Sequence, residues 1–393
     1  MTVEKFNENY EVVFDKKDEF FNELTERCSN TAVYRTKPDL VSIYAGEVEG
    51  DAMHLRRLEG KTVMDMPLGV DVVDENLWRS KEVEEVGLFM RFTTLDGDGK
   101  TIVAPLSPLC KLSLGNRSKL SFSGDFTIPV NKISLATLYE EFLKRETKKE
   151  ELQVICVYGK IQAVMTNVYS PIGHDQFFKM VDDKISDRFG KDIVELRRGY
   201  VSHKWSRGTW YIGEFTPPSG SSQQKIQLGL SAMDSQSGHS GAILQPCLFS
   251  GRKNRSMLFD DAWYSKHMSL TEEGINEALD TVYITLNDNA QKLLDTIGMV
   301  INNPALYAQR LCAELNKLAK QTSSVILPAK TIKSFISTVS GLEAIRSSVT
   351  VWDVIEILWD IPETTGSSEQ HKDGLMKTVS RVLGINHGNL DKA

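Results

Sequence analysis

Gln153–Tyr158 (QVICVY) and Ile161–Val168 (IQAVMTNV) are two apolar, β-branched-rich runs separated by Gly159-Lys160. Such runs with a two-residue gap predict a β-hairpin, and a glycine first in the loop predicts a type II′ turn. Downstream, Asn167–Asp175 (NVYSPIGHD) reads as a loop and 175–189 (DQFFKMVDDKISDRF) as a helix. Residues 193–250 return to strand-like runs, VELRRGYVSHKW, TWYIGEF and QKIQLGLSAM, interrupted by the loop PPSGSSQQ from Pro217.

From residue 269 the apolar period becomes helical, with Ser269 and Glu272 forming a capping-box pattern. Helices are expected over 270–300, 304–321, 328–345, 351–360 and 371–384, separated by Asn-Asn-Pro, Leu-Pro and Pro-Glu-Thr-Thr-Gly breaks. Upstream of the hairpin, Ser134 reads as an N-cap for a helix to about residue 147, with Leu135, Leu138, Tyr139 and Phe142 on one face. Residues 40–130 carry short apolar runs (LVSIYAGEV, VGLFMRFTTL) and the turn Asp96-Gly97-Asp98-Gly99, which read as strands. Residues 16–28 place Phe20, Phe21, Leu24 and Cys28 at helical spacing.

Strand-rich front and middle parts followed by a helical C-terminal third give the fold class: α+β, without βαβ alternation. The organisation expected is a β-rich region over 1–130, a central α+β region over 131–265 containing the hairpin 153–168, and a helical region over 266–393.

The 393 residues exceed the usual size of one core. With 41% hydrophobic residues the chain belongs to the globular class. The net charge of −7 means that nucleic acid or an anionic membrane could be engaged through a local patch alone. The cysteines, Cys28, Cys110, Cys156, Cys247 and Cys312, are five in number and widely spaced. They read as reduced thiols in a cytoplasmic protein. The N-terminus has neither signal nor transit character, and no apolar run approaches the ~18 residues of a membrane span.

Gly238-His239-Ser240-Gly241-Ala242 resembles the contexts of nucleophilic serines. Ala242 replaces the last glycine of a nucleophile elbow, and Pro246 opposes a following helix. The upstream histidines His54, His174 and His203 lack the sequence context of a trypsin-type base. A glycine-serine turn between two strands is the preferred reading, with a Ser240 hydrolase as a minor alternative. Asp96–Lys100 lacks a glutamate at the twelfth position of a calcium loop, where Ser107 stands. The histidines show no paired metal-ligand spacing, and neither a P-loop nor a dinucleotide fingerprint is present, so no metal and no cofactor are expected.

One segment departs from the average. Residues 184–256 hold eleven Lys/Arg against five Asp/Glu, an excess of six positive charges within an acidic chain. Tyr200, Trp205, Trp210, Tyr211 and Phe215 are interleaved with them. Cations that track phosphates beside rings that stack on bases are what single-strand binding requires. The candidate nucleic-acid-binding residues are Arg197, Arg198, Lys204, Trp205, Arg207, Trp210, Arg252, Lys253 and Arg255. Strand alternation places Trp205 and Arg207 on one face and Lys204 on the other. A solvated basic strand with core tryptophans is the competing reading.

Three motifs carry a family resemblance. Gly159–Asp175 (GKIQAVMTNVYSPIGHD) is similar to a signature of a widespread phage and plasmid protein family of unknown function, with Ala163, Tyr169 and Ile172 matching. Leu228–Gly238 (LGLSAMDSQSG) resembles its strand-and-turn motif ending in Asn-Ser-Glu-Thr-Gly, and Thr350–Ile355 (TVWDVI) its late helix start. The family's Cys-x-Asn-Gly element is not reproduced around Asn254. The resemblance spans roughly residues 110–385 and implies a mobile-element setting with no assigned chemistry. The expectation is a non-enzymatic nucleic-acid-binding protein of a phage or other mobile element, acting in DNA replication or recombination on single strands of DNA or RNA. An alternative is an anti-defence or assembly factor that binds a host or phage protein through Val351, Trp352, Ile355, Leu358 and Trp359. These apolar residues, at helical spacing, read in preference as core.

Overall fold

The computed structural model describes residues 10–49, 52–56, 62–67, 87–97, 99–118, 132–146, 151–169, 173–215, 226–235, 237, 241–249, 256–258, 263–266, 271–322 and 324–392. Among the described residues, fifteen strands form three antiparallel sheets. In chain order they are β1 (Glu11–Phe14), β2 (Thr31–Thr36), β3 (Val41–Glu49), β4 (Ala52–Arg56), β5 (Thr62–Pro67), β6 (Leu88–Thr93), β7 (Thr101–Pro105), β8 (Leu152–Val157) and β9 (Lys160–Thr166). Then come β10 (Glu195–Ser202), β11 (Ser206–Phe215), β12 (Ile226–Asp234), β13 (Ala242–Phe249), β14 (Ser256–Leu258) and β15 (Trp263–Ser265). The helices are α1 (Lys17–Ser29), α2 (Cys110–Ser118), α3 (Lys132–Glu146), α4 (His174–Phe189), α5 (Glu272–Ile297), α6 (Pro304–Gln321), α7 (Ala329–Leu342), α8 (Val351–Leu358), α9 (Ile361–Thr365), α10 (Glu369–Ser380) and α11 (His387–Leu390).

The large sheet runs β1-β10-β11-β12-β13-β14, with β15 also on β13. Helices cover one of its faces: α1 lies over β10, α4 over β11 and β12, and α5 over β13. Phe20, Leu24, Phe178, Trp210 and Leu230 meet there in the largest core, which continues into α6–α10. Two glycines allow the close approach. A Cβ at Gly199 would lie 2.4 Å from the Phe20 ring, and one at Gly208 would lie 2.3 Å from the Trp210 ring. The other two sheets, β5-β4-β3-β6-β7 and β2-β8-β9, share cores with α2 and α3 and are joined by a parallel bridge from Leu106 to Ile161.

This is an α+β fold with a helical C-terminal region. The first two of the three regions read from the sequence share sheets, β1 pairing with β10 and β2 with β8, and the third joins them through the largest core. The expected N-cap Ser134 lies inside α3, whose buried stripe is Leu135, Ala136, Tyr139 and Leu143, with Leu138 36% exposed. A helix, α2, also falls within the stretch read as strands. Ser269 and the loop from Pro217 lie outside the described residues.

The decisive hairpin forms one residue early. Val157 pairs with Lys160, so the loop is Tyr158-Gly159, with φ of 51° and 79°. Two positive φ values mark a type I′ pattern rather than II′. Tyr158 adopts a conformation that bulky residues avoid. Its ring is buried at the junction between the large sheet and the hairpin, 6.3 Å from that of His203.

Candidate nucleic-acid interface

β10 and β11 form the centre of the large sheet, and the side chains facing away from the helices define the candidate surface. Leu196 opposes Trp210 and Gly199 opposes Gly208, both pairs turned to the core. Alternation therefore sends Arg198, Tyr200, Arg207 and Thr209 to the other face. Between Leu196 and Arg198 the register shifts by a bulge, leaving Arg197 as the extra residue. Arg197 lies over the outward Tyr211 ring at 5.2 Å, so the bulge puts two consecutive arginines on one face. Its guanidinium also pairs with Glu195 at 3.2 Å.

Further along the same face, the Tyr200 and Trp205 rings lie 4.3 Å apart, tilted by 33°, and the Arg207 guanidinium lies 5.0 Å from the Trp205 ring. The outer surface of β10–β11 thus carries Arg197, Arg198 and Arg207 with Trp205 and Tyr211, all half-buried. Arg197 and Arg207 each lay a guanidinium plane toward a ring, and Arg207 Nη2 also reaches Met233 Sδ at 3.5 Å.

Trp205 sits in the turn from β10 to β11. Ser202 Oγ accepts from the Trp205 N–H at 3.2 Å and donates to its carbonyl at 2.8 Å. The Lys204 carbonyl accepts from Ser235 Oγ at 2.5 Å. Trp205 and Arg207 share a face, as alternation required.

Trp210 corrects the expected set. It is fully buried, and its indole Nε1 donates to Asp182 Oδ1 at 2.9 Å. Lys17 pairs with the other oxygen of Asp182 at 2.6 Å. The indole therefore fixes α4 to the sheet and cannot stack on a base. Arg252, Lys253 and Arg255 lie outside the described residues. Val351, Trp352, Ile355, Leu358 and Trp359 are at most 6% exposed and line the core, so they offer no docking surface. The α8 helix, which carries the first four and is C-capped by Trp359, is held by a Thr350–Asp353 capping box.

A buried polar constellation escaped the sequence reading. Ser206 Oγ and His174 Nδ1 are 3.2 Å apart, and His174 Nε2 lies 3.3 Å from Asp234 Oδ2. The order matches a nucleophile-base-acid relay. Ser206 and Asp234 are 0% exposed and His174 is 1% exposed, which closes the hydroxyl to a substrate carbonyl. The three groups instead tie the start of α4 to β11 and β12. The expected serine, Ser240, with Gly238 and His239, lies outside the described residues.

A cleft of about 310 Å³ opens between α4 and α5 above Ile212 and Leu230. Its Arg188 is tied across the gap to Asp280 and covers the Tyr283 ring at 4.2 Å. Lys184 faces Glu272 at 3.9 Å. Its cations are thus engaged by carboxylates of the opposite helix.

Among the described residues no group of three or more His, Cys, Asp or Glu is placed to hold a metal, and no helix is long and apolar enough to cross a membrane. All five cysteines are free thiols. Comparison of the chain with protein-family models, with curated proteins and with solved structures finds no match.

Proposed function

We propose that the outer face of β10–β11 binds single-stranded nucleic acid, and that the protein is a non-enzymatic nucleic-acid-binding component of a phage or other mobile element, acting in replication or recombination. The observation that carries this reading is the bulge at Arg197. It gathers Arg197 and Arg198 beside Arg207 and the Tyr200–Trp205 ring pair on one sheet face, although the chain as a whole is acidic. From Trp205 to Tyr211 the strand covers about 20 Å at ~3.3 Å per residue. Arginines would neutralise phosphates, Trp205 would stack on a base, and Lys204 would add charge at the turn. The mobile-element setting rests on the family resemblance of the hairpin, β12 and α8 motifs.

Fluorescence anisotropy with a labelled single-stranded oligonucleotide, at low and moderate salt, tests the reading. Changing Arg197, Arg198 and Arg207 together to Ala should weaken binding and flatten the salt slope by about 2, from ~0.7 per phosphate released. Unchanged affinity and slope in the triple variant would overturn it.

A further inference from the structure

We propose that the cleft between α4 and α5 binds a free α-amino acid with an apolar side chain. The cleft lies on the helix-covered side of the large sheet, away from the outer face of β10–β11, and stands or falls separately from that interface. Its floor is apolar. Ile212 and Leu230 from the sheet, Ile185 from α4, and Leu279 and Val282 from α5 line it, each at most 6% exposed. The register of β11 against β12 shifts between Tyr211 and Gly213, so Ile212 is a bulge residue, placed where the strand bends. The volume of about 310 Å³ falls at the low end of the ~300–1,000 Å³ of small-molecule sites. That is room for a molecule the size of a large amino acid.

The mouth is polarised. On α4, Lys184 and Arg188 stand one turn apart on the same side of the helix. On α5, Glu272, Asn276 and Asp280 follow the same spacing and face them. Asp187 also reaches the rim from α4. Arg188 pairs with Asp280 across the gap, and Lys184 Nζ is 3.9 Å from Glu272. The Arg188 side chain is 35% and that of Asp280 64% exposed. An ion pair so exposed is weak, so a ligand can open it at little cost. A ligand of one charge would part the two residues and leave one of them without a counter-ion. A zwitterion serves both: its carboxylate meets Arg188 and its ammonium meets Asp280. Asn276, an amide that donates and accepts, stands on the α5 side beside them. The carboxylate and ammonium of an α-amino acid share one carbon, which suits two partners that already touch. The side chain on that carbon then descends onto Ile212 and Leu230.

Isothermal titration calorimetry of the full chain tests this with L-leucine, L-phenylalanine, 4-methylpentanoate and 3-methylbutylamine. The last two carry the leucine side chain with one charge each. L-Leucine or L-phenylalanine should bind at millimolar concentration or below, and each singly charged analogue at least tenfold more weakly than L-leucine. L-Alanine, whose side chain is too short to reach the floor, should also lose at least tenfold. Two variants at the exposed rim should then cross over. Arg188→Gln leaves Asp280 to an ammonium and should bind the amine better than the acid. Asp280→Asn leaves Arg188 to a carboxylate and should bind the acid better than the amine. Absence of binding by both amino acids overturns the proposal. So does equal affinity for L-leucine and either analogue, or the same analogue preference in both variants.

Discussion

Tyr307 and His387, 80 residues apart, share a buried hydrogen bond in which the phenol donates to Nδ1. The direction is set by the other ring nitrogen: Nε2 donates to the Val382 carbonyl at 2.8 Å, leaving Nδ1 as the acceptor. Around this pair, Asp391 accepts from the Asn302 amide at 3.0 Å and Arg310 donates to the Leu390 carbonyl at 3.0 Å. The end of the chain is thereby pinned to α6.

Burial holds the His387 imidazole below its usual pKa, with the bond to Val382 opposing the shift. Because the folded pKa is the lower one, the unfolded chain takes up the proton first. The stability contributed by neutral His387 is present above the ordinary value of about 6.5 and is lost as pH falls below it. Thermal denaturation of Tyr307→Phe at neutral pH should show a loss of about 1–3 kcal/mol, the cost of leaving a buried acceptor unmet. The wild type should lose melting temperature between pH 7 and pH 5 more steeply than His387→Asn.

Trp210 and Trp205 separate stability from binding. Trp210→Phe strips a donor from buried Asp182 and should lower unfolding free energy by about 1–3 kcal/mol. Trp205→Ala, at the half-buried turn, should instead weaken oligonucleotide binding by about 1–3 kcal/mol, the worth of a base stacked on a ring. Denaturant titration and anisotropy on both variants check the crossover.

Gly199 carries the approach of α1 to the sheet. Gly199→Ala places a methyl against the Phe20 ring and should cost about 1–3 kcal/mol through overpacking. Adding Phe20→Leu should restore part of that loss, which a double-mutant cycle in urea would measure.

The cysteines differ sharply in access. Burial pushes the Cys110 and Cys312 thiols up to about 12 and raises Cys156 as well, while Cys247 is also buried and Cys28 is half-exposed. A thiol reagent such as DTNB at pH 8 should therefore modify Cys28 first. The other four should follow at the rate of unfolding. Simultaneous fast reaction of several thiols would contradict this packing.

Where the chain's pattern is local, the sequence reading holds closely. The helices α5 to α8 and α10 begin and end within a few residues of their expected bounds because caps and prolines mark them. The hairpin forms with its loop one residue earlier than its letters suggest: Gly159 supplies the second positive φ of the turn and Tyr158, edge-on to His203, the first. The bulge at Arg197 has no local signature, since it depends on what β11 places opposite. Trp205 and Trp210 are indistinguishable as letters in a basic strand, and the partner that separates them, Asp182, lies on α4. The Ser206–His174–Asp234 constellation is assembled from three elements without motif spacing, so only the fold brings it together.

The pairing of β1 with β10 also orders events at birth. Glu11 reaches Tyr200 across 189 residues. β1 cannot join the large sheet until the chain through β10 has left the ribosome. The smaller sheets and α1 can assemble earlier, and the β1–β10 pairing is a long-range contact of the kind that slows folding.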